Sequence, residues 1–341
     1  MKCKLLLIAF IAVTLNTAAQ KMTAPDSAKY LLDTTIRIMQ KKAFNADQVN
    51  WDALKKELFR KVEKINSVKE AGFAFTRLFD ELKDVHGIFY YSDSFFRSNN
   101  KPRNEGKINE TTYEELKKGS RIISKMLAGN IAFINIPFIS QQDTASVIKI
   151  ANRINDSIVQ LLKQDAKGLI IDLRLNQGGN VYPMIAGLHS VFNDGKVSGL
   201  YSYEFKDKDT PTYFYKDSLI CEYYHININR PWKHSNIPVA VLIGPSTASA
   251  GEGTAAALTF RDRSMLIGEE SMGLTTANDG FIVMQPDIGF NLSVGVIKDG
   301  NGNKLTDAIK PGIIVNGGDN FVNLEEDTKV IAAKEWISNN L

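Results

Sequence analysis

Apolar residues recur at helical spacing through the first part of the chain. Tyr30, Leu31, Thr34, Ile38 and Met39 fall along one helical face. Leu54, Leu58, Val62 and Ile65 follow at intervals of four, four and three, in a second helix that starts near Asn50. A third, Ala71 to Leu82, carries Phe73, Phe75, Leu78, Phe79 and Leu82, a pattern that reads as core. These stretches predict an N-terminal helical domain over residues 20–90. From Ser92 to Lys118 the chain turns polar, rich in Asn, Lys, Arg and Glu. The expectation there is an exposed, weakly structured connection or lid, residues 91–128.

At Gly129 the period changes. Ile131 to Ile136 reads as a strand ending at Pro137, and Val147, Ile150, Ala151, Ile154, Ile158, Leu161 and Leu162 mark one face of a helix from Thr144 to Asp165. Gly168 to Leu173 is a second buried strand, so this is a βαβ unit with parallel pairing. A helix over Tyr182 to Phe192, a strand Val239 to Ile243 behind Pro238, and a helix of small residues after Ser249 repeat the alternation. The predicted fold class is α/β, with a parallel-stranded core over residues 129–341 preceded by a helical bundle.

Composition adds limits. Of 341 residues 44% are hydrophobic and 23% charged, enough to bury a large core. With 41 basic and 38 acidic residues the formal charge is +3, and nothing points to nucleic acid. Lys2 and Lys4, the apolar run Leu5 to Leu15 and the small residues Thr17-Ala18-Ala19 read as a signal peptide, residues 1–19. The run is too short to cross a bilayer, and the expectation is an exported protein, periplasmic or extracellular, with no integral membrane segment after cleavage. An uncleaved short anchor is the alternative. Cys3 precedes the apolar run, the wrong place for a lipid-modified cysteine. Cleavage leaves Cys221 alone, which excludes an internal disulfide and a cysteine-based metal site.

Two turns carry candidate chemistry. Gly244-Pro245-Ser246-Thr247-Ala248-Ser249-Ala250-Gly251-Glu252 joins the Val239–Ile243 strand to its helix. A serine there faces free helix N–H groups that can stabilise an oxyanion, although an ordinary helix cap would use the same residues. Arg174-Leu175-Asn176-Gln177-Gly178-Gly179-Asn180 follows the Gly168–Leu173 strand, and its paired glycines bare backbone N–H groups to a ligand. It has neither the Walker lysine nor the three-glycine dinucleotide pattern. There are four histidines, His86, His189, His225 and His234, scattered and without an acidic partner at helical spacing, so neither metal nor cofactor is expected.

The blocks together resemble the tail-specific, or C-terminal processing, serine protease family. Gly168 to Gly179 resembles its "DLRxNxGG" block, Thr247 to Glu252 its "SASASE" nucleophile block, and Leu266 to Gly273 its "vGexTxG" block. Ile309 to Val315 resembles the terminal "GIxPDIxV" block, with Gly312 where aspartate is usual. The resemblance implies a ClpP/crotonase-like spiral ββα core, a protein or peptide substrate, and Ser249 as nucleophile.

Two departures shape the expected mechanism. Bacterial members place a catalytic lysine 25 residues after the serine, where this chain has Leu274, and no lysine lies between Ser249 and Lys298. Branches typified by the tricorn core protease use a histidine in an upstream "D-x-H" stretch, which Asp84-Val85-His86 matches. The resemblance thus implies His86 as general base, with Gly178 and Ala250 N–H groups as the oxyanion hole. Asp307 is the first candidate to orient His86, and Glu252 and Glu269 are others. Second, about forty residues separate His86 from Gly129, too few for the PDZ domain that most bacterial members carry. An inactive relative that binds peptides or small hydrophobic ligands in the same cleft, like the retinoid-binding members, is the alternative.

Overall fold

The computed structural model describes residues 22–202, 210–299 and 302–341; the predicted signal peptide lies outside them. Three helices come first. α1 (Ala24–Lys42) is capped by Thr23, whose hydroxyl accepts from Asp26 N. It buries Ala28, Leu31, Leu32, Thr35, Ile36 and Met39, a stripe rotated from the expected one, so that Tyr30 is exposed. The denser row of small and aliphatic residues wins over the isolated tyrosine. α2 (Trp51–Val62), capped by Asn50, buries Leu54, Leu58 and Val62 as spaced. α3 (Gly72–Leu82) buries Phe75, Leu78, Phe79 and Leu82 and leaves Phe73 largely exposed.

These helices share their core with a sheet. Phe75 stacks on Phe89 with ring centroids 3.6 Å apart, and Ile288, Phe290 and Leu292 complete the cluster. The 91–128 segment is not the weakly structured connection expected. After β1 (Ile88–Tyr91) come β2 (Ser94–Arg97), α4 (Glu110–Lys117) and β3 (Ser124–Leu127). Asn104 within it is fully buried and donates to Ser271 O at 2.6 Å, which fastens the segment beside the nucleophile turn.

The next elements are β4 (Ile131–Asn135), α5 (Thr144–Leu162), β5 (Gly168–Asp172) and α6 (Val181–Gly187). Four strands follow, β6 (Gly195–Ser202), β7 (Thr210–Tyr215), β8 (Ser218–Ile220) and β9 (His225–Asn227). Then come β10 (Val239–Ile243), α7 (Ala250–Leu258), β11 (Ser264–Gly268), β12 (Thr276–Ile282), β13 (Ile288–Lys298), β14 (Ile313–Ile314) and α8 (Thr328–Ser338).

One sheet runs β14-β11-β10-β5-β4-β3, parallel except for β3. Every residue of β4, β5 and β10 is buried because both faces are covered. Leu169, Ile171, Val239 and Val241 face α5, α6 and α7, while Ile170, Ala240 and Leu242 face α8. The second sheet is antiparallel, ordered β2-β1-β13-β6-β7-β8-β9, with β12 also on β13. Among the described residues no helix is long and apolar enough to cross a membrane.

Candidate active site

The carboxyl ends of β5 and β10, neighbours in the parallel sheet, project the two turns side by side. After β10, Thr247 Oγ1 accepts from Gly244 N at 3.0 Å and donates to Leu173 O at 2.9 Å, tying one turn to the other. Ala248 N donates to Asn176 O at 2.9 Å. The chain then folds sharply, and Ser249 takes φ 54° and ψ −116°, a conformation unusual for a residue with a side chain.

Glu252 holds that conformation. It is fully buried, and its carboxylate accepts from Ser249 N at 2.8 Å, Gly273 N at 2.8 Å, Leu274 N at 2.9 Å and the Ser271 hydroxyl. Ser271 Oγ in turn accepts from Ile309 N at 2.7 Å. Burial pushes the Glu252 carboxyl above its ordinary value, against the pull of these donors. The Ser249 N–H to Glu252 bond is one half of a capping box at the start of α7, so the helix-cap position and the nucleophile position coincide in one residue.

On the facing turn Gly178 has φ +116° and Gly179 φ +100°. A β-carbon on Gly179 would lie 2.0 Å from Ile139 O, so only glycine fits. The N–H of Gly178, the expected oxyanion donor, is taken by Asn176 Oδ1 at 2.9 Å. Among the described residues the N–H groups of Gly179 and Ala250 have no acceptor. Both border, with Ser249, a cavity of about 350 Å³ walled by Val181, Tyr182, Val294 and Ile297. Tyr182 packs there against Tyr223 and Tyr224, with ring centroids 5.9 and 5.4 Å away.

His86 sits in the loop after α3. Asp84 shapes that loop, its Oδ1 accepting from His86 N at 3.1 Å and Gly87 N at 2.8 Å. His86 Nδ1 lies 2.9 Å from Thr276 Oγ1, and Asn278 Nδ2 donates to His86 O at 3.3 Å. Thr276 borders both the Ser249 cavity and the smaller one beside His86. No hydrogen bond joins His86 to Ser249 among the described residues. Burial lowers the His86 pKa from its ordinary value, opposed by the negative Asp84 and the Thr276 bond and reinforced by Arg97.

None of the carboxylates expected to orient His86 reaches it. Asp307 is half-exposed and paired with Arg103 of the 91–128 segment. Glu269 pairs with Lys329 at 2.9 Å, and Glu252 is committed to the nucleophile turn. The side chains that do contact the His86 region, Thr276 on β12 and Ser293 on β13, were not among the residues expected to orient it. His189 is buried and bonds Lys216 O through Nε2 at 2.8 Å, a structural position. The Cys221 thiol is half-buried, and burial pushes its pKa up, which disfavours the thiolate.

A parallel sheet whose strand ends carry a strained serine beside open N–H groups defines a hydrolase-type site. Residues 130–315, more than half the chain, match peptidase family S41, and the chain belongs to that family of serine-type peptidases. It is 31% identical over 153 residues to the nisin-resistance protein of Lactococcus lactis subsp. lactis, across 45% of this chain and 46% of that protein. The match thus spans about half the length of that relative. A lipoprotein from Streptococcus agalactiae has the same overall fold, with TM-score 0.65 at 19% identity, over 94% of this chain and 98% of that one. The photosystem II D1 C-terminal processing protease aligns with TM-score 0.59 at 13% identity, over 88% of this chain and 96% of that one.

Proposed function

We propose that this peptidase is exported and cleaves proteins or peptides through an acyl-enzyme on Ser249, with His86 as general base. The observation that carries the reading is the backbone of Ser249, held at φ 54° on a strand-to-helix turn beside the unpaired N–H groups of Ala250 and Gly179. Such strain persists only where the surroundings enforce it, and it clusters at reacting residues. The parallel core is read as ClpP/crotonase-like, with the N-terminal helices as its appendage.

In this reading Ser249 Oγ attacks the scissile carbonyl while His86 Nε2 takes its proton. The tetrahedral oxygen accepts from Ala250 N–H and Gly179 N–H, the latter replacing the occupied Gly178. Collapse breaks the C–N bond, and His86 passes its proton to the leaving amine. Water, deprotonated by His86, then releases the acid and restores Ser249. Nε2 and Ser249 are not hydrogen bonded in the free protein, and the two residues border different cavities that share Thr276, so the base engages only when substrate is bound. Export rests on the first 19 residues.

The test is to incubate the mature protein with a mixture of unfolded proteins and map new termini by mass spectrometry. New termini with wild type and none with Ser249→Ala support the reading. Identical products from both, or none from a folded wild type, favour a binding protein that keeps the cap geometry of Ser249 without the chemistry.

A further inference from the structure

We propose that Asp84 is a positioning residue for His86, acting through the hydroxyls of Ser293 and Thr276 in series. This rests on His86 being the base for Ser249. The chain is continuous: Asp84 Oδ1 to Ser293 Oγ is 2.7 Å, Ser293 Oγ to Thr276 Oγ1 is 2.8 Å, and Thr276 Oγ1 to His86 Nδ1 is 2.9 Å. Its members come from three elements, the α3–β1 loop, β12 and β13. A bulge in the β12–β13 pairing at Ala277/Asn278 shifts the register there, setting Asn278 opposite Ser293.

Proton counting fixes the direction of the chain. An ionised Asp84 only accepts, and besides Ser293 Oγ it already takes the N–H groups of His86, Gly87 and Ser293. Ser293 therefore spends its one hydroxyl proton on Asp84 and accepts from Thr276. Thr276, its proton spent in turn, accepts from His86 Nδ1–H. The result is the tautomer with the Nε2 lone pair free, the form a general base requires. One competitor stands nearby. Asn278 Oδ1 lies 3.2 Å from Ser293 Oγ and 3.3 Å from Thr276 Oγ1. The shorter, charge-assisted bond to Asp84 outcompetes that neutral amide.

No proton has to travel along this chain. When Nε2 takes the serine proton, the imidazolium is stabilised by dipoles aligned toward a buried carboxylate, a job that a directly bonded aspartate does in other serine peptidases. The other charged group acting on the ring is Arg97, which opposes the imidazolium. Without the aligned hydroxyls, Thr276 is free to donate to Nδ1, which places the proton on Nε2 and silences the base.

The test uses the rate of Ser249 modification by a fluorophosphonate as a function of pH. Asp84→Asn also breaks the loop, so the informative variants are Thr276→Val and Ser293→Ala, checked for wild-type melting. Each is expected to slow modification by about ten- to a hundredfold, less than the 10²–10⁴ expected for removing the base itself. Thr276→Ser should return to within a few fold of wild type. The double variant should be no slower than either single one, because one break already interrupts the series. The acid limb of the profile should move to lower pH in the slowed variants. Wild-type rates in both single variants, with His86→Ala inactive, would overturn the relay and leave the base assignment standing. A His86→Ala variant that reacts like wild type would overturn both.

Discussion

A β-carbon on Gly178 would lie 2.8 Å from Cβ and 3.2 Å from Oγ of Ser249. The two turns at the ends of β5 and β10 thus meet at a glycine and a serine with no space between them. At φ +116° Gly178 is also in a region that side chains avoid. Gly178→Ala should leave the fold intact by far-ultraviolet circular dichroism and slow Ser249 acylation by about a hundredfold, comparable to the loss of an oxyanion donor. A rate near wild type would show that the turn does not press on the nucleophile.

Glu252 joins three backbone N–H groups and the Ser271 hydroxyl at one buried point. Glu252→Ala strands these donors, and each buried unpaired group costs about 1–3 kcal/mol. Denaturant titration should show a loss of roughly 3 kcal/mol or more, and a smaller loss for Glu252→Gln, which keeps one acceptor oxygen. Equal stability of Glu252→Ala and wild type would contradict this role.

The pH dependence follows from His86. Its pKa in the folded protein lies below the ordinary 6.5, so between the two values the unfolded chain holds the extra proton. Stability from this group is therefore full above pH 6.5 and is lost as pH falls toward the folded pKa. Acylation should follow the same neutral form, with an acid limb below pH 6.5 and a plateau at pH 7. A limb centred above pH 6.5 would mean that another group, or a His86 with a raised pKa, acts as base.

Asp307 is paired with Arg103 at the surface, where such pairs contribute about 0–1 kcal/mol. Asp307→Ala should change the acylation rate by less than about fivefold, the most that an interaction of that size can shift a rate. A loss of a hundredfold would return Asp307 to the site.

Much of this was legible in the sequence. The parallel strands were visible because both-face burial writes them as unbroken apolar runs, as in Leu169-Ile170-Ile171 and Val239 to Ile243. The two turns that carry Gly178 and Ser249 were visible because turn chemistry is local, but the N–H expected to face an oxyanion, that of Gly178, is bonded to Asn176. What brings residues together across the chain was not. Asp84, Thr276 and Ser293 are distant in sequence and meet only because β12, β13 and the loop after α3 converge. Arg174 reads as one letter of a block, yet it is a buried cation bonded to Asp172, Asp319 and Asp327, two of them about 150 residues away. Glu252 was a candidate to orient His86, and its actual acceptor role depends on the distant 271–274 loop. The 91–128 segment looked loose because its ordering comes from outside it, through contacts such as Asn104 with Ser271.

The most direct measurement is the site of covalent modification by a fluorophosphonate at pH 7, mapped by peptide mass spectrometry. A single adduct is expected on the peptide that contains Ser249, absent in Ser249→Ala and strongly reduced in His86→Ala. A folded wild type that takes no adduct, or one modified at another serine, would contradict it.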